Sequence, residues 1–223
     1  MLLLALDTAS SAVSVALHDG EHVLAVRTGD QAPKHVELLT PLVAEALAGI
    51  GAKTTDLTAV AVGVGPGPFT GLRVGLVTAR VLALALGIDV LGVCSLDALA
   101  AGAVRAGLGA AEFVVATDAR RREVYWARYQ RSNQPGRPGL PVRVDGPHVA
   151  TATELPRAGL PVVGRGATLY PAELGDAVLP LDPPAGELAA LAIHGAPYLL
   201  PAEPLYLRRP DAALPGARKR VLP

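Results

Sequence analysis

The chain opens on a run of short apolar segments. Residues 2–8, LLLALDT, end in an aspartate and have the pattern of a buried strand. Residues 12–20, AVSVALHDG, alternate and close on the turn signal Asp19-Gly20. Residues 22–28, HVLAVRT, supply a third strand, so the spacing predicts a meander of hairpins. The period then changes. In residues 34–51, KHVELLTPLVAEALAGIG, the positions Leu38, Leu39, Leu42, Val43, Ala46 and Leu47 recur at helical intervals. Pro41 predicts a kink or a first turn there, and Gly49 and Gly51 predict the end. A fourth strand follows at 57–65, a helix from about Thr70, a fifth strand at 88–95 and a third helix at 96–107. Three strands, helix, strand, helix, strand, helix is an α/β layout.

The second half begins the same order again. Residues 112–130, EFVVATDARRREVYWARYQ, read as strand, aspartate, tight connection and strand, with Asp118 falling where Asp7 falls. This is a weak internal repeat with an eroded second copy. Residues 131–147 are rich in Pro and Gly and read as a loop with one short strand. Residues 160–174 predict a strand and a short helix, residues 186–195 a last helix, and residues 208–223 an extended mobile tail. The expected division is a first α/β domain over 1–106 and a reduced second one over 107–223.

Composition narrows the function. Of 223 residues, 51% are hydrophobic and 18% charged, so a packed core is easily built. Formal net charge is zero, which argues against a protein that grips nucleic acid unaided. A single cysteine, Cys94, rules out a disulfide framework and fits a reducing compartment. No secretory signal pattern is present, and the longest apolar run, 74–93, is broken by Arg80 and Asp89. No membrane association is expected, and the expected location is the cytoplasm.

Residues 62–86, VGVGPGPFTGLRVGLVTARVLALAL, join a strand to a helix through a glycine- and proline-rich turn. A Walker A loop needs a lysine after its last glycine, but Gly71 is followed by Leu72. A dinucleotide fingerprint fails too, because Pro68 stands where its last glycine belongs. Two uses remain: a stiff turn, or a helix N-terminus capped by Thr70 whose free N–H groups meet an anion. The helix is apolar nearly all round. Leu72, Leu76, Ala79 and Ala83 form one face, and Val74, Val77, Val81 and Leu84 the opposite one. Arg73 and Arg80 share one flank, and Gly71, Gly75, Thr78 and Leu82 the other, a stripe of mostly small residues that lets a second helix come close. A helix packed only on its own sheet needs one apolar face. The surplus is covered either by the rest of the domain or by a partner. The balance favours a partner, with Val36, Leu39, Val43, Gly71, Arg73, Gly75, Thr78 and Leu82 as interface residues.

Catalytic candidates are sparse. Asp7 and Asp118 can hold a metal or a nucleophilic water, as carboxylates do in kinases and ATPases of duplicated α/β architecture, or they can cap turns. His18, His22, His35, His148 and His194 show no metal-ligand spacing. Ser10, Ser11 and Ser14 lack a nucleophile-elbow context, and Cys94 reads as an inert buried thiol. Tyr125, Trp126 and Tyr129 among arginines can stack RNA bases, but alternation favours a half-buried strand. Arg218-Lys219-Arg220 is solvated by default and phosphate-binding otherwise.

In chain order, LALDTASSAVSVAL, KHVELLTPLV, GVGPGPFTGLRVGL, TDARRREVYWARY and EPLYLRRP resemble the bacterial TsaB (YeaZ) family. The match is tight over 1–100 and loose over 131–200. The resemblance implies an α/β fold of the actin, hexokinase and sugar-kinase superfamily, ribonuclease H-like, with two related domains, the second reduced. It implies a non-catalytic scaffold for TsaD, the enzyme that transfers a threonylcarbamoyl group to the adenosine beside the anticodon of tRNAs reading codons that begin with A. By the same resemblance, TsaD docks through first-domain helices and the small ATPase TsaE joins the pair. The chain alone would form a homodimer over much the same surface, and tRNA would be held only through the complex. No cofactor, metal or catalytic residue is implied for this chain. Ser95 and Leu99 stand where the enzyme relative carries its metal-binding histidine pair, and neither can replace a histidine. The alternative is a small ATPase or sugar kinase of the same fold using Asp7 and Asp118. A metallopeptidase ranks lowest, for want of a ligand cluster.

Overall fold

Strand β1 (Leu3–Asp7) is buried along its whole length, as is β2 (Val13–His18), which is why both read as nearly continuous apolar runs. A computed structural model describes residues 1–29, 35–132 and 140–208. The basic triplet Arg218-Lys219-Arg220 and most of the expected tail lie outside the described residues, as does the Pro- and Gly-rich stretch 133–139. β2 returns antiparallel to β1 and is followed by the edge strand β3 (Val23–Gly29). Helix α1 (His35–Gly49) leads to β4 (Ala59–Gly63), parallel to β1. Helix α2 (Phe69–Leu86) leads to β5 (Asp89–Val93), parallel to β4, and α3 (Ser95–Arg105) closes the half. Pro41 lies inside α1 and does not end it.

The second half repeats this plan. β6 (Glu112–Asp118), β7 (Glu123–Arg131) and β8 (Pro141–Thr151) form an antiparallel meander, and β9 (Val162–Val163) and β10 (Ala177–Val178) add in parallel. The strand orders are β3-β2-β1-β4-β5 and β8-β7-β6-β9-β10, the same arrangement twice. Erosion is visible in the helices. No counterpart of α1 stands between β8 and β9, and the place of α2 is taken by α4 (Arg165–Leu169) and α5 (Pro171–Leu174). Helix α6 (Ala185–His194) is the counterpart of α3. A final strand, β11 (Leu199–Leu200), returns to the first sheet and pairs with β5.

One expectation is corrected. Residues 141–151 form a long edge strand, not a short strand within a loop. Pro141, Gly146 and Pro147 read as loop punctuation, but an edge strand tolerates proline because one side of its backbone has no ladder to complete.

The two halves interlock through their last helices. α6, from the second half, packs on β1 and β2, while α3, from the first, packs on β6, β7 and β8, and the two helices touch. Leu188, Leu191 and Tyr198 therefore share a core with Leu3 and Ala16, and Leu96 and Leu99 share one with Phe113 and Tyr129. The other face of the first sheet is covered by α1 and α2.

Helix α2 is thus packed on one side only. Leu72 is wholly buried in the core and Leu84 is 84% exposed. Leu72→Ala is expected to cost about 3 kcal/mol of stability, and Leu84→Ala within about 0.5 kcal/mol of nothing. Urea unfolding of the two variants checks this contrast.

Candidate functional site

The end of β1 organises everything around it. The Asp7 carboxylate is buried; one oxygen accepts the Ala9 N–H at 2.7 Å and the other the Ser95 hydroxyl at 2.5 Å. Ser95 Oγ in turn accepts the Gly65 N–H at 3.2 Å. A side chain at Gly63 would collide with Asp7, so glycine there makes room for the carboxylate. Burial pushes the Asp7 pKa up to about 6, against the pull of the Ser95 and Ala9 hydrogen bonds. Thr8, also buried, reaches the other way. Its hydroxyl donates to the Gly71 carbonyl at 2.8 Å and accepts the Gly75 N–H at 2.9 Å. Those are the two groups that bond to each other in an uninterrupted helix, so Thr8 inserts into the ladder of α2.

This geometry corrects several expectations. Gly71 and Gly75 are buried, and a Cβ on Gly75 would lie 2.6 Å from Thr8 Oγ1. Their smallness admits the chain's own Thr8, so neither has surface to offer a partner. Leu39 is likewise a core residue, 1% exposed. Thr70 is not the cap of α2; the helix starts at Phe69, with Pro68 before it and no side-chain cap. Of the other expected interface positions, Val36 and Arg73 are exposed, and Val43, Thr78 and Leu82 are half-buried. Ser95 is spent on Asp7, and Leu99 is wholly buried. Burial raises the Cys94 thiol pKa to about 12, which leaves it inert at neutral pH. Among the described residues no cluster of three or more His, Cys, Asp or Glu could hold a metal.

The exposed side of α2 carries Val77, Val81 and Leu84, the first two 58% and 59% exposed. These belong to the apolar face opposite the core, which the periodicity had already separated from the small-residue flank. A groove of about 470 Å³ runs between α1 and α2, lined by Thr40, Val43, Leu47, Val77, Val81 and Leu82 among others. A second, of about 440 Å³, runs between α2 and residues 204–206, lined by Arg73, Leu76, Val77, Arg80, Val81, Pro204 and Tyr206. Val77 and Val81 form the crest between them. At the start of the helix Phe69 stacks on Tyr206 with centroids 5.4 Å apart. Arg73 lies 3.7 Å above the Phe69 ring and its Nε donates to Tyr206 Oη at 2.9 Å. Sequence periodicity marked the crest; nothing in it brought Tyr206 to Phe69. By length and composition α2 could cross a membrane, but its Leu72, Leu76, Ala79 and Ala83 are core side chains of the sheet layer.

A separate cleft of about 310 Å³ opens between the two halves, bordered by Ser10, Ser11, Thr70, Asp118, Arg120, Arg165 and Asp182. Asp118 accepts the Arg120 N–H at 2.7 Å and pairs with its guanidinium at 3.1 Å. Arg165 grips Asp182 in a two-pronged bond, Nε to Oδ1 at 2.8 Å and Nη2 to Oδ2 at 2.6 Å. Asp7 does not line this cleft, so the structure does not bring Asp7 and Asp118 to one open site.

Two sheets of order 3-2-1-4-5, each with an antiparallel meander and two parallel strands, make this a duplicated ribonuclease H-like chain of the actin and sugar-kinase class. A family model described as TsaD: tRNA N6-adenosine threonylcarbamoyltransferase matches residues 27–160. An uncharacterized protein of Mycobacterium tuberculosis is 44% identical over 94% of this chain and 93% of its own length. The tRNA threonylcarbamoyladenosine biosynthesis protein TsaB of Escherichia coli is 43% identical over 132 residues, 59% of this chain. The chain spans about half of that protein (56%), and likewise 56% of an uncharacterized Mycobacterium leprae relative. YeaZ from Pseudomonas aeruginosa superposes with a TM-score of 0.75 at 31% identity, covering 92% of this chain and 99% of that one. The chain belongs to the TsaB (YeaZ) family.

The raised pKa of Asp7 has a defined pH signature. The folded state binds the Asp7 proton more tightly than the unfolded chain, so the contribution is full below pH 3.8 and is lost as pH rises through about 6. The loss is on the order of 3 kcal/mol. Denaturation curves of the wild type and Asp7→Asn between pH 4 and 7.5 are expected to show the wild type losing stability relative to the variant as pH rises. A constant difference would contradict the assignment.

Proposed function

We propose that this chain is a non-catalytic scaffold subunit in the synthesis of threonylcarbamoyladenosine beside the tRNA anticodon, and that it binds and supports TsaD. The observation that carries the reading is the apolar crest of α2, Val77, Val81 and Leu84, left exposed between two apolar grooves. Large exposed apolar patches on a charged-surface protein mark contact sites. The E. coli relative's name supplies the pathway. In this reading the first domain, residues 1–106, presents the docking helices and the reduced second domain, 107–223, braces them through α6. TsaE joins the larger assembly, tRNA is held through the complex, the isolated chain pairs with itself over the same crest, and the protein acts in the cytoplasm. The interface positions carried forward from the periodicity are Val36, Val43, Arg73, Thr78 and Leu82, joined by the crest.

The absence of catalysis is part of the proposal. It is supported by Asp7, whose two oxygens are committed to Ala9 and Ser95, and by Ser95 and Leu99 at the positions of the metal-binding pair. A small ATPase or sugar kinase using Asp7 and Asp118 is the competing reading. Calorimetry of the isolated chain with Mg-ATP discriminates, since clear binding followed by turnover would favour it.

Val81→Asp combined with Leu84→Asp is expected to weaken co-elution with TsaD at least tenfold while leaving the fold intact, because both side chains already face solvent. Size-exclusion chromatography of the mixed proteins, with circular dichroism as the folding control, checks it. Undiminished co-elution would sink the docking assignment. Depletion of the gene in its host is expected to lower threonylcarbamoyladenosine in tRNA nucleoside digests.

A further inference from the structure

We propose that the cleft between the two halves is a binding site for a small phosphate-bearing ligand, recognised by the open start of α2 and by Thr117. The N–H groups of Phe69, Thr70 and Gly71 have no hydrogen-bond partner among the described residues, and Pro68 supplies no side-chain cap. An eighteen-residue helix ending in this way presents free donors and a positive dipole end. Thr70 and Gly71 line the cleft, so that end faces the cavity.

The second observation is independent of the helix. Thr117, the penultimate residue of β6, also lines the cavity. It is 6% exposed, and its Oγ1 has no hydrogen-bond partner. A buried hydroxyl left without a partner is costly. Its place on the wall of a cavity points to a partner that arrives with a ligand. The third is Arg120, delivered to the rim by a turn in which Arg120, Arg121 and Arg122 all have positive φ, 62°, 54° and 64°. Successive left-handed non-glycine residues are unfavourable, and such strain collects at ligand clamps.

Charge decides the ligand class. The lining carboxylates are Asp118 and Asp182, and each is matched by a guanidinium, Arg120 and Arg165. The walls therefore balance, and the end of α2 is the uncompensated element, which favours an anion. Asp7 does not line the cleft and its oxygens are occupied, so recognition falls to N–H and hydroxyl donors. A volume of about 310 Å³ sits at the small end of ligand sites and suits a mononucleotide-sized molecule or smaller.

The test is calorimetric titration of the full chain with inorganic phosphate and, separately, with adenosine monophosphate, at constant ionic strength set by chloride. Saturable one-to-one binding is expected. Thr117→Val should weaken it at least fivefold without lowering Tm. Thr70→Asp, which puts a carboxylate at the helix start, should abolish it while holding or raising Tm. Tighter binding of the nucleotide identifies a phosphate monoester as the ligand; equal binding identifies free phosphate. No saturable binding of either probe, or binding indifferent to both variants, overturns the proposal. TsaD co-elution of the same variants is expected to be unchanged, so failure here is separable from failure of the scaffold reading.

Discussion

The structure depends on the dipeptide at the end of β1. Asp7 and Thr8 are consecutive, so their side chains leave a strand in opposite directions, and each fastens a different helix. Asp7 takes the hydroxyl of Ser95, the first residue of α3. Thr8 enters the first turns of α2 between Gly71 and Gly75. Glycine at 63 and 75 is the steric complement of these contacts, since a side chain at either place would displace the polar group it now admits. Motifs that look separate in the chain, Asp-Thr near the start and the glycines after β4, are thus two sides of one contact.

A second constraint follows from the exchange of α3 and α6. Because each half lends its last helix to the other's sheet, the inner face of the first sheet is closed by second-half residues, and α1 and α2 have only the outer face to cover. The eroded second half lacks counterparts large enough to wrap round them. The only second-half segment that reaches α2 is residues 204–206, where Tyr206 clamps Phe69 and Arg73. Everything beyond that clamp on α2 is left to solvent, which is how an apolar crest arises in a chain with ample hydrophobic residues to hide it.

Much of this plan was legible in the chain. Period-two runs ending in Asp7 and Asp118 disclosed the repeat, because both strands are buried and terminate at the same topological point. The helix faces of α2 were readable from a period of 3.6 alone. What failed was the choice among faces. A stripe of small residues signals a close approach without saying by what, and here the neighbour is a threonine of the same chain. Leu39 failed for a similar reason, since periodicity gives the apolar side of α1 but not which part of it the sheet covers. β8 was hidden by prolines that an edge position tolerates. Tyr206 and Thr117 were out of reach, because their roles depend on contacts far along the chain.

The crest alone does not make a stable interface. Fully burying a valine or leucine is worth roughly 1.5–3 kcal/mol, and Val77, Val81 and Leu84 have already hidden part of their surface. Their sum is a few kcal/mol, against an association cost of roughly 4–15 kcal/mol. A partner that touched only the crest would therefore not stay. The grooves on either side change the balance, because a partner straddling the crest can fill both at once and gain the half-buried walls of Val43, Leu47, Leu82 and Leu76 as well. The Phe69–Arg73–Tyr206 cluster adds a rigid aromatic and guanidinium anchor at one end, the residue types that dominate binding energy at interfaces. A ridge between two hollows is also the relief that a pair of packed helices of similar shape can match, and a TsaD-like or self-like partner carries such a pair.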